Sequence, residues 1–214
     1  MKKNINCPCG NNISFEFTEE IDLDNHPLTL DSIFDGTFLS FNCPVCKKLH
    51  KPEYKVTLFW KSKNYNFIVI PELERGDFYL NKKNNPNSKN KSEDVLSFET
   101  LIGYPEMADR LTVIKDGLEP IVIETLKSYL LAKAMENYPK HNINAWYYCS
   151  SSDGIEFHLD GIMQNQVAVM KIPMDVYKNT LNVFKKQPKK AIFVSLRVSN
   201  YLSVQNILRP DVLK

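Results

Sequence analysis

The chain has 214 residues, of which 43% are hydrophobic and 24% are charged, and its formal net charge is +2. A chain of this length can bury roughly 70% of its unfolded surface, which is enough for a hydrophobic core. No window approaches the roughly 18 uncharged apolar residues of a membrane span, so the composition excludes disordered, collagen-like and membrane-spanning proteins and allows one domain or two small ones.

The N-terminal region carries four of the five cysteines, in two close pairs. Met1-Lys2-Lys3-Asn4 leads into polar sequence without the apolar core of a secretory signal, so we expect a cytoplasmic protein with no membrane partner. In an intracellular chain, close cysteine pairs bind metal or carry out redox chemistry more often than they form structural disulfides. A disulfide framework is therefore not expected.

Residues 1–75 are predicted to form an antiparallel β-rich module. Apolar residues alternate with polar ones from Ile13 to Phe17, which is typical of a half-buried strand. A short helix is predicted from Leu28 to Phe34, and a strand from Thr37 to Asn42 leads into the second cysteine pair. The β-branched and aromatic runs Tyr54–Trp60 and Tyr65–Ile70 predict a hairpin. We therefore expect strands to deliver both cysteine pairs.

The charges of this module are unevenly distributed. Residues 4–46 contain no lysine or arginine, whereas residues 47–63 contain six lysines and a single acidic residue. Aromatic side chains interleave with these lysines, a pattern that suits stacking on single-stranded nucleic acid. The candidate contacts are Lys55, Trp60, Lys61 and Lys63. The sequence pI of about 8.2 lies below the value of about 9 typical of such domains, and the acidic and basic stretches can instead face each other.

Residues 76–94 are predicted to be a flexible loop rich in lysine and asparagine, because the stretch from Asn81 to Ser92 contains no large apolar residue. Residues 95–214 are predicted to form an α+β region with two central helices and an antiparallel β/α part. The expected elements are helices at Pro105–Ile114 and from Asp116 to about Tyr138, strands at Ala145–Cys149, Ile155–Leu159 and Val167–Ile172, a helix from Pro173 to about Pro188, and a strand at Ala191–Leu196. The predicted class of the chain is therefore α+β.

The two cysteine pairs lie in Cys7-Pro8-Cys9-Gly10 and Cys43-Pro44-Val45-Cys46. Two close pairs allow four thiolates to reach one tetrahedral ion, whatever the length of chain between them. Zn²⁺ is favoured because it needs no redox partner, while Fe²⁺ remains open; separate reduced thiols and a redox function are the alternatives. Four protein ligands leave no position for water, so such a site is structural rather than hydrolytic.

These motifs resemble those of the CpXC family, which is named for its Cys-Pro-x-Cys repeats. Cys43-Pro44-Val45-Cys46 matches the motif, and the resemblance continues through Leu101–Tyr104 and Leu111–Leu131. The family has no defined activity, so the resemblance implies a zinc-ribbon-like region and no reaction. The first motif is one residue short, and Lys47 stands where a glycine often follows. Should the short pair fail to bind metal, His50 or His26 is the nearest substitute.

Enzyme signatures are absent from the sequence: it contains no GxSxG, HExxH, Walker A or GxGxxG motif. Triad-type residues occur at Ser150–Asp153, His158 and Asp160, where a turn and an outer strand face explain them, and Cys149 is expected to be a small buried hydrophobe. The sequence therefore favours a zinc-stabilised binding or regulatory protein with an unidentified protein partner. A nucleic-acid-binding zinc ribbon and an enzyme of unrecognised type are the alternatives.

Overall fold

The computed structural model describes residues 1–84 and 98–208 of an α+β chain that divides into two compact units. Unit 1 comprises Met1–Phe78 and Asn87–Ala108, and unit 2 comprises Tyr79–Pro86 and Asp109–Lys214. The sequence predicts ranges of 1–75, 76–94 and 95–214, whereas the contacts group residues 98–108 with the N-terminal segment. Within the described residues, the helices are too short or too polar to cross a membrane.

The first 84 residues contain seven strands and two α-helices. These are β1 (Lys2–Asn6), β2 (Asn12–Glu16), β3 (Glu20–Asp22), α1 (Pro27–Phe34), β4 (Phe41–Asn42), β5 (Leu49–His50), β6 (Val56–Trp60), β7 (Tyr65–Ile70) and α2 (Arg75–Asn84). Beyond residues 85–97 follow β8 (Glu99–Ile102) and α3 (Tyr104–Lys115). The predicted strand from Thr37 to Asn42 is thus reduced to its last two residues, because Leu39 has a positive φ of 53° that interrupts an extended chain.

Unit 1 contains two antiparallel hairpins and a mixed sheet. The hairpins are β1–β2 and β4–β5, while the sheet has the order β3-β6-β7-β8. Strands β6 and β7 are antiparallel, whereas the outer pairs β3–β6 and β7–β8 are parallel. The expected antiparallel arrangement therefore describes the cysteine-bearing hairpins but not the whole module. Leu58, Phe67 and Val69 are completely buried in this sheet.

The prediction of a flexible loop over 76–94 is wrong for its first part, where α2 runs to Asn84. The first residue of this helix, Arg75, has a partner remote in sequence, which composition alone does not reveal. Arg75 is buried and donates hydrogen bonds to Glu72 at 2.6 Å and to Glu106 at 2.8 Å. Residues 85–94 of the predicted loop lie outside the described residues.

Unit 2 resumes at Asp109 within α3 and contains the remaining elements. These are α4 (Pro120–Asn137), β9 (Asn144–Ser150), β10 (Gly154–Met163), β11 (Gln166–Pro173), α5 (Met174–Lys186), α6 (Ala191–Ser195), β12 (Arg197–Val198), β13 (Tyr201–Leu202) and α7 (Gln205–Leu208). The predicted antiparallel meander is confirmed by the order β11-β10-β9. The expected strand at Ala191–Leu196 is wrong, because most of this segment forms helix α6. A short apolar run fits the period of a strand as well as that of a helix.

A network of four buried charges lies within the hydrophobic core of unit 2. Its members are Asp109, Arg110, Glu124 and Lys127, each at most 7% exposed. The Lys127 ammonium contacts Asp109 at 2.5 Å and Glu124 at 2.8 Å. The remaining carboxylate oxygens accept backbone N–H groups, of Tyr147 at 2.6 Å and of Val204 at 2.7 Å. Pairing of both signs makes this burial tolerable, because an isolated buried charge costs several kcal/mol.

The partners in this network favour the ionised forms of Lys127 and Glu124, whereas burial outweighs them at Asp109 and raises its pKa. Burial alone would lower the pKa of Lys127, yet the carboxylates of Asp109 and Glu124 outweigh it and raise that pKa above its usual value. Burial likewise opposes ionisation of Glu124, but the cations of Lys127 and Arg110 lower its pKa. Lys127 therefore stays charged inside the core.

Candidate metal centre

The first cysteine pair lies on the turn that joins β1 to β2. The N–H of Gly10 donates to the carbonyl of Cys7 at 2.9 Å, and the N–H of Cys7 donates to the carbonyl of Asn11 at the same distance. Gly10 has a φ of +86°, in the left-handed region that glycine tolerates without a steric cost. The tight turn therefore fits a motif that has only one residue between its cysteines.

The second pair lies on the turn between β4 and β5. The N–H of Lys47 donates to the carbonyl of Cys43 at 2.9 Å, and the N–H of Cys43 donates to that of Lys48 at 2.8 Å. Lys47 has a φ of +61°, so it occupies the left-handed conformation that explains why a glycine suits this position. Its ammonium folds back to the carbonyl of Pro44 at 3.1 Å.

The two turns bring four sulfur atoms together, and we call Cys7, Cys9, Cys43 and Cys46 the cysteine cluster. All four Sγ atoms lie within 4.8 Å of one another. Cys7 and Cys46 are 3.5 Å apart and Cys9 and Cys43 are 3.7 Å apart, so all remain free thiols rather than disulfides. A tetrahedral ion with Zn–S bonds near 2.3 Å needs sulfur atoms about 3.8 Å apart. The cluster could therefore hold a metal ion.

Hydrogen bonds and burial shift the pKa values of the two buried thiols, Cys7 and Cys43, in opposite directions. The backbone N–H of Cys46 donates to the Cys43 sulfur and outweighs burial; with the N–H of Val45 and the neighbouring thiols, it lowers the Cys43 pKa to about 6. The N–H of Cys9 favours the Cys7 thiolate, but burial and the surrounding thiols prevail and raise its pKa to about 12. Cys43 therefore becomes a thiolate at a lower pH than Cys7, and a cation nearby would favour deprotonation of Cys7.

Two polar side chains approach the sulfur atoms from outside the cluster. Nε2 of His50 lies 3.3 Å from the sulfur of Cys7, and Nδ2 of Asn11 lies 3.9 Å from that of Cys43. The sequence predicts His50 only as a substitute ligand and indicates no role for Asn11. Its place two residues after Cys9, inside the same turn, is the sequence signal that points to it. Nδ1–H of His26 instead donates to the backbone carbonyl of Asp22 at 2.8 Å.

Aromatic side chains connect the two cysteine hairpins. The ring of Phe15 on β2 lies 4.9 Å from that of Phe41 on β4 and 5.7 Å from that of Tyr54. Phe17 stacks on Tyr54 at 5.0 Å. These contacts bury aromatic surface at the junction of otherwise short hairpins, which positions the two turns relative to each other.

The residues predicted for nucleic-acid contact do not form one open surface. Trp60 is only 4% exposed, and the Lys61 ammonium forms an ion pair with Asp22 at 2.8 Å. The Lys63 ammonium lies 5.9 Å above the Trp60 ring, whereas Lys55 is exposed. The Lys61 pair joins the acidic and basic stretches within one module, so part of the apparent cationic surface is neutralised.

The triad-type residues do not assemble into a catalytic arrangement within the described residues. His158 contacts Glu156 at 3.0 Å and stacks on Tyr148, while Asp160 accepts the indole N–H of Trp146 at 2.7 Å. Cys149 is exposed, so the expectation that it is buried is wrong. A register shift between Glu156 and Phe157 bulges β9 here and turns neighbouring side chains outward.

The sequence is similar to a known protein family and to one individual protein. The sequence matches the family model described as "CpXC protein" over residues 5–127, a stretch that contains both cysteine pairs. It is 30% identical over 213 residues to an uncharacterized protein of Treponema pallidum (strain Nichols), a match that covers 95% of this chain and 97% of the relative. No solved structure matches it. The similarity to the Treponema protein thus extends through unit 2.

Proposed function

The chain belongs to the CpXC protein family, and on this premise we propose that its cysteine cluster binds a structural Zn²⁺ ion that stabilises unit 1 of a binding or regulatory protein. The observation that carries the proposal is the approach of four sulfur atoms to within 4.8 Å of one another. A bound ion would supply a cross-link between the β1–β2 and β4–β5 turns. The four thiols fill a tetrahedral shell, so the proposed site has no open position for catalysis.

The local architecture supports a stabilising role for the ion. Both cysteine turns lie on two-stranded hairpins, which are marginally stable in water on their own. Strands β4 and β5 have only two residues each. Zinc-finger peptides gain about 10 to 16 kcal/mol from the metal, which is folding free energy because the site does not exist in the unfolded chain.

The surface beside the cluster suits the binding of a protein partner better than catalysis. Val45 at the tip of the second turn is 68% exposed, and Leu49 on β5 is 52% exposed. Lys47, Lys48 and Lys51 flank them and are also exposed. An exposed apolar pair within a cationic border suits a protein partner with a matching apolar and acidic surface.

The proposal is tested by elemental analysis of the native protein beside two serine variants. We expect one zinc per chain in the wild type, its loss in Cys43→Ser, and full retention in Cys149→Ser, because Cys149 lies outside the cluster. Hydrogen exchange should show that Cys43→Ser exposes the amides of β1, β2, β4 and β5 while those of β9 and β10 stay protected.

Three outcomes would contradict the proposal. Native protein without stoichiometric metal would exclude a resident ion, and rapid alkylation of the cluster thiols in that protein would favour a redox role. Stoichiometric iron would overturn the choice of zinc. Unchanged hydrogen exchange in a metal-free Cys43→Ser protein would show that the ion does not stabilise unit 1.

A further inference from the structure

A groove of about 410 Å³ lies within unit 2, between the second half of α4 and the hairpin formed by β10 and β11. Its helical wall is a single face of α4, with side chains spaced by three and four residues. This face consists of Leu130, Lys133, Ala134 and Asn137, and Tyr138 lines the groove directly after the helix. Pockets for small molecules usually have about 300 to 1,000 Å³ and mostly apolar walls. The groove therefore has the size and lining of a small-molecule site.

The groove forms because α4 leaves the core before the hairpin ends. Leu131 on α4 and Leu159 on β10 are at most 2% exposed, whereas beyond them both elements become accessible. Gly161 has a φ of +85° and lies in a register shift between Leu159 and Met163, which bends the end of the hairpin. Apolar side chains remain along the gap, among them Met163 and Val167, which are 57% and 54% exposed.

The rim of the groove carries one cationic group and two side-chain amides. The ammonium of Lys133 forms no ion pair or hydrogen bond with the part of the chain that is described. The amide of Asn137 donates to the backbone carbonyl of Lys133 at 3.1 Å, which holds it at the rim, and Gln166 lines the groove from the hairpin. An apolar groove with a cation at its edge suits a ligand that has an anionic head and an apolar body.

We propose that this groove binds a monoanionic amphiphile, a carboxylate with an unbranched hydrocarbon tail, whose head contacts Lys133 and whose tail lies between α4 and the β10–β11 hairpin. This binding activity goes beyond the proposed metal site, since every lining residue belongs to unit 2. A single lysine near the end of α4 favours a monoanion over a phosphate dianion, because the carbonyl groups of the helix C-terminus repel additional negative charge. The apolar walls supply most of the affinity.

The test uses the whole 214-residue chain as purified, with decanoate, decan-1-ol and decylamine as probes. Isothermal titration calorimetry should give one decanoate site per chain, with decan-1-ol binding about fivefold more weakly and decylamine more weakly still. Methyl NMR spectra should show decanoate-induced shifts at Leu130, Ala134 and Ile162, which line the groove.

Matched variants separate groove binding from adsorption elsewhere. Ala134→Trp should reduce decanoate affinity at least tenfold by filling the gap, whereas Ala132→Trp, at an exposed α4 position outside the lining, should leave it unchanged. Val167→Asp and Val169→Asp give a second pair at exposed positions, of which Val167 alone lines the groove. Lys133→Gln should weaken decanoate about fivefold and leave decan-1-ol unaffected, with Lys140→Gln as its control.

Any of three results would overturn the proposal. The first is the absence of saturable decanoate binding by wild-type protein. The second is decanoate binding that survives both Ala134→Trp and Val167→Asp, or decylamine binding as tight as that of decanoate. The third is a wild-type dimer that Val167→Asp dissociates and Val169→Asp does not, which would assign the groove to a second copy of the chain.

Discussion

His50 approaches the sulfur of Cys7 from β5, the strand that follows the second cysteine turn, with Nε2 at 3.3 Å. Phe41 stacks on its ring at 5.7 Å, which fixes the orientation of the imidazole. Hydrogen bonds from outside a metal's ligand shell commonly change metal affinity by about 10- to 100-fold. We therefore expect His50→Ala to raise the Zn²⁺ dissociation constant about tenfold, as measured by competition with a chromogenic chelator.

His26→Ala is the control for this prediction, because His26 contacts the backbone of Asp22 and not the cluster. Equal zinc affinity in His50→Ala and wild-type protein would show that the imidazole does not support the site. Complete loss of zinc would instead identify His50 as a ligand in its own right.

Lys127 is the residue on which the buried charge network of unit 2 depends, since its ammonium contacts two carboxylates. Lys127→Met should remove the counter-charge of Asp109 and leave Glu124 only the Arg110 guanidinium at 3.6 Å. Breaking one partner of a buried pair costs about 3 to 5 kcal/mol. Urea unfolding followed by far-UV circular dichroism should report a loss of that size.

Lys178→Met provides the matched exposed substitution on α5, where a change of at most about 0.5 kcal/mol is expected. If the two lysine variants have the same free energy of unfolding, the network carries no net stability. A Lys127→Met protein more stable than wild type would mean that the desolvation of four charges exceeds their attraction.

Single residues differ in how far the sequence reveals their role. The four cysteines are recognisable because metal-ligand spacing is local, two turns of three or four residues each. The members of the charge network resemble ordinary helix-surface residues, and only the position of Glu124 and Lys127 inside the apolar run Ile121–Leu131 hints at burial. Their pairing with Asp109 depends on how α3 and α4 pack, which no local pattern specifies.

At the level of elements, the β10–β11 hairpin depends on a glycine that no other residue can replace cheaply. A Cβ at Gly161 would collide with the carbonyl oxygen of Asn142, and the residue also has a positive φ. Gly117, between α3 and α4, has a φ of +71° but open space around it. We expect Gly117→Ala to cost about 1 kcal/mol from the backbone conformation alone, and Gly161→Ala to cost about 3 kcal/mol.

The difference between these two glycine variants is measured by urea unfolding of each protein under the same conditions. Equal losses would show that the chain around Asn142 can move away at little cost. In that case the bend at Gly161 would not be a rigid feature of the hairpin.

Elements with a long periodic pattern are predictable from this sequence, whereas short ones are not. The meander β9–β11 and helices α3 to α5 follow their apolar periods, so the predictions agree with the structure to within a few residues. The sequence pattern does not predict helices α2 and α6. In α6 the apolar run is too short to distinguish periods, and in α2 the deciding contacts of Arg75 involve Glu106, which is remote in sequence.

At the scale of the whole molecule, unit 2 contains groups whose deprotonation should lower its stability at alkaline pH. Burial, together with its hydrogen bond to Asp116, raises the pKa of Tyr147, and the paired carboxylates raise that of Lys127. Both groups keep their protons to a higher pH in the folded protein than in the unfolded chain. Their contribution to stability is therefore fully present below about pH 10 and is lost as pH rises through the folded values.

Urea midpoints measured between pH 7 and pH 11 should be constant at first and should fall above about pH 10. Tyr147→Phe should flatten part of that decline, because the unfolded state can no longer release the phenolic proton first. A midpoint that rises with alkaline pH, or a Tyr147→Phe profile parallel to that of wild type, would contradict the assignment.

The order of segments along the chain determines where an expressed fragment containing the cysteine cluster must end. Strand β8 is encoded after residues 85–97, yet it pairs with β7 and contributes the fully buried Leu101 and Ile102. A coding fragment that stops at Phe78 would therefore leave the edge of β7 unpaired and its apolar neighbours in water, a surface prone to aggregation. An autonomous version of this half requires an open reading frame that extends at least to Ala108.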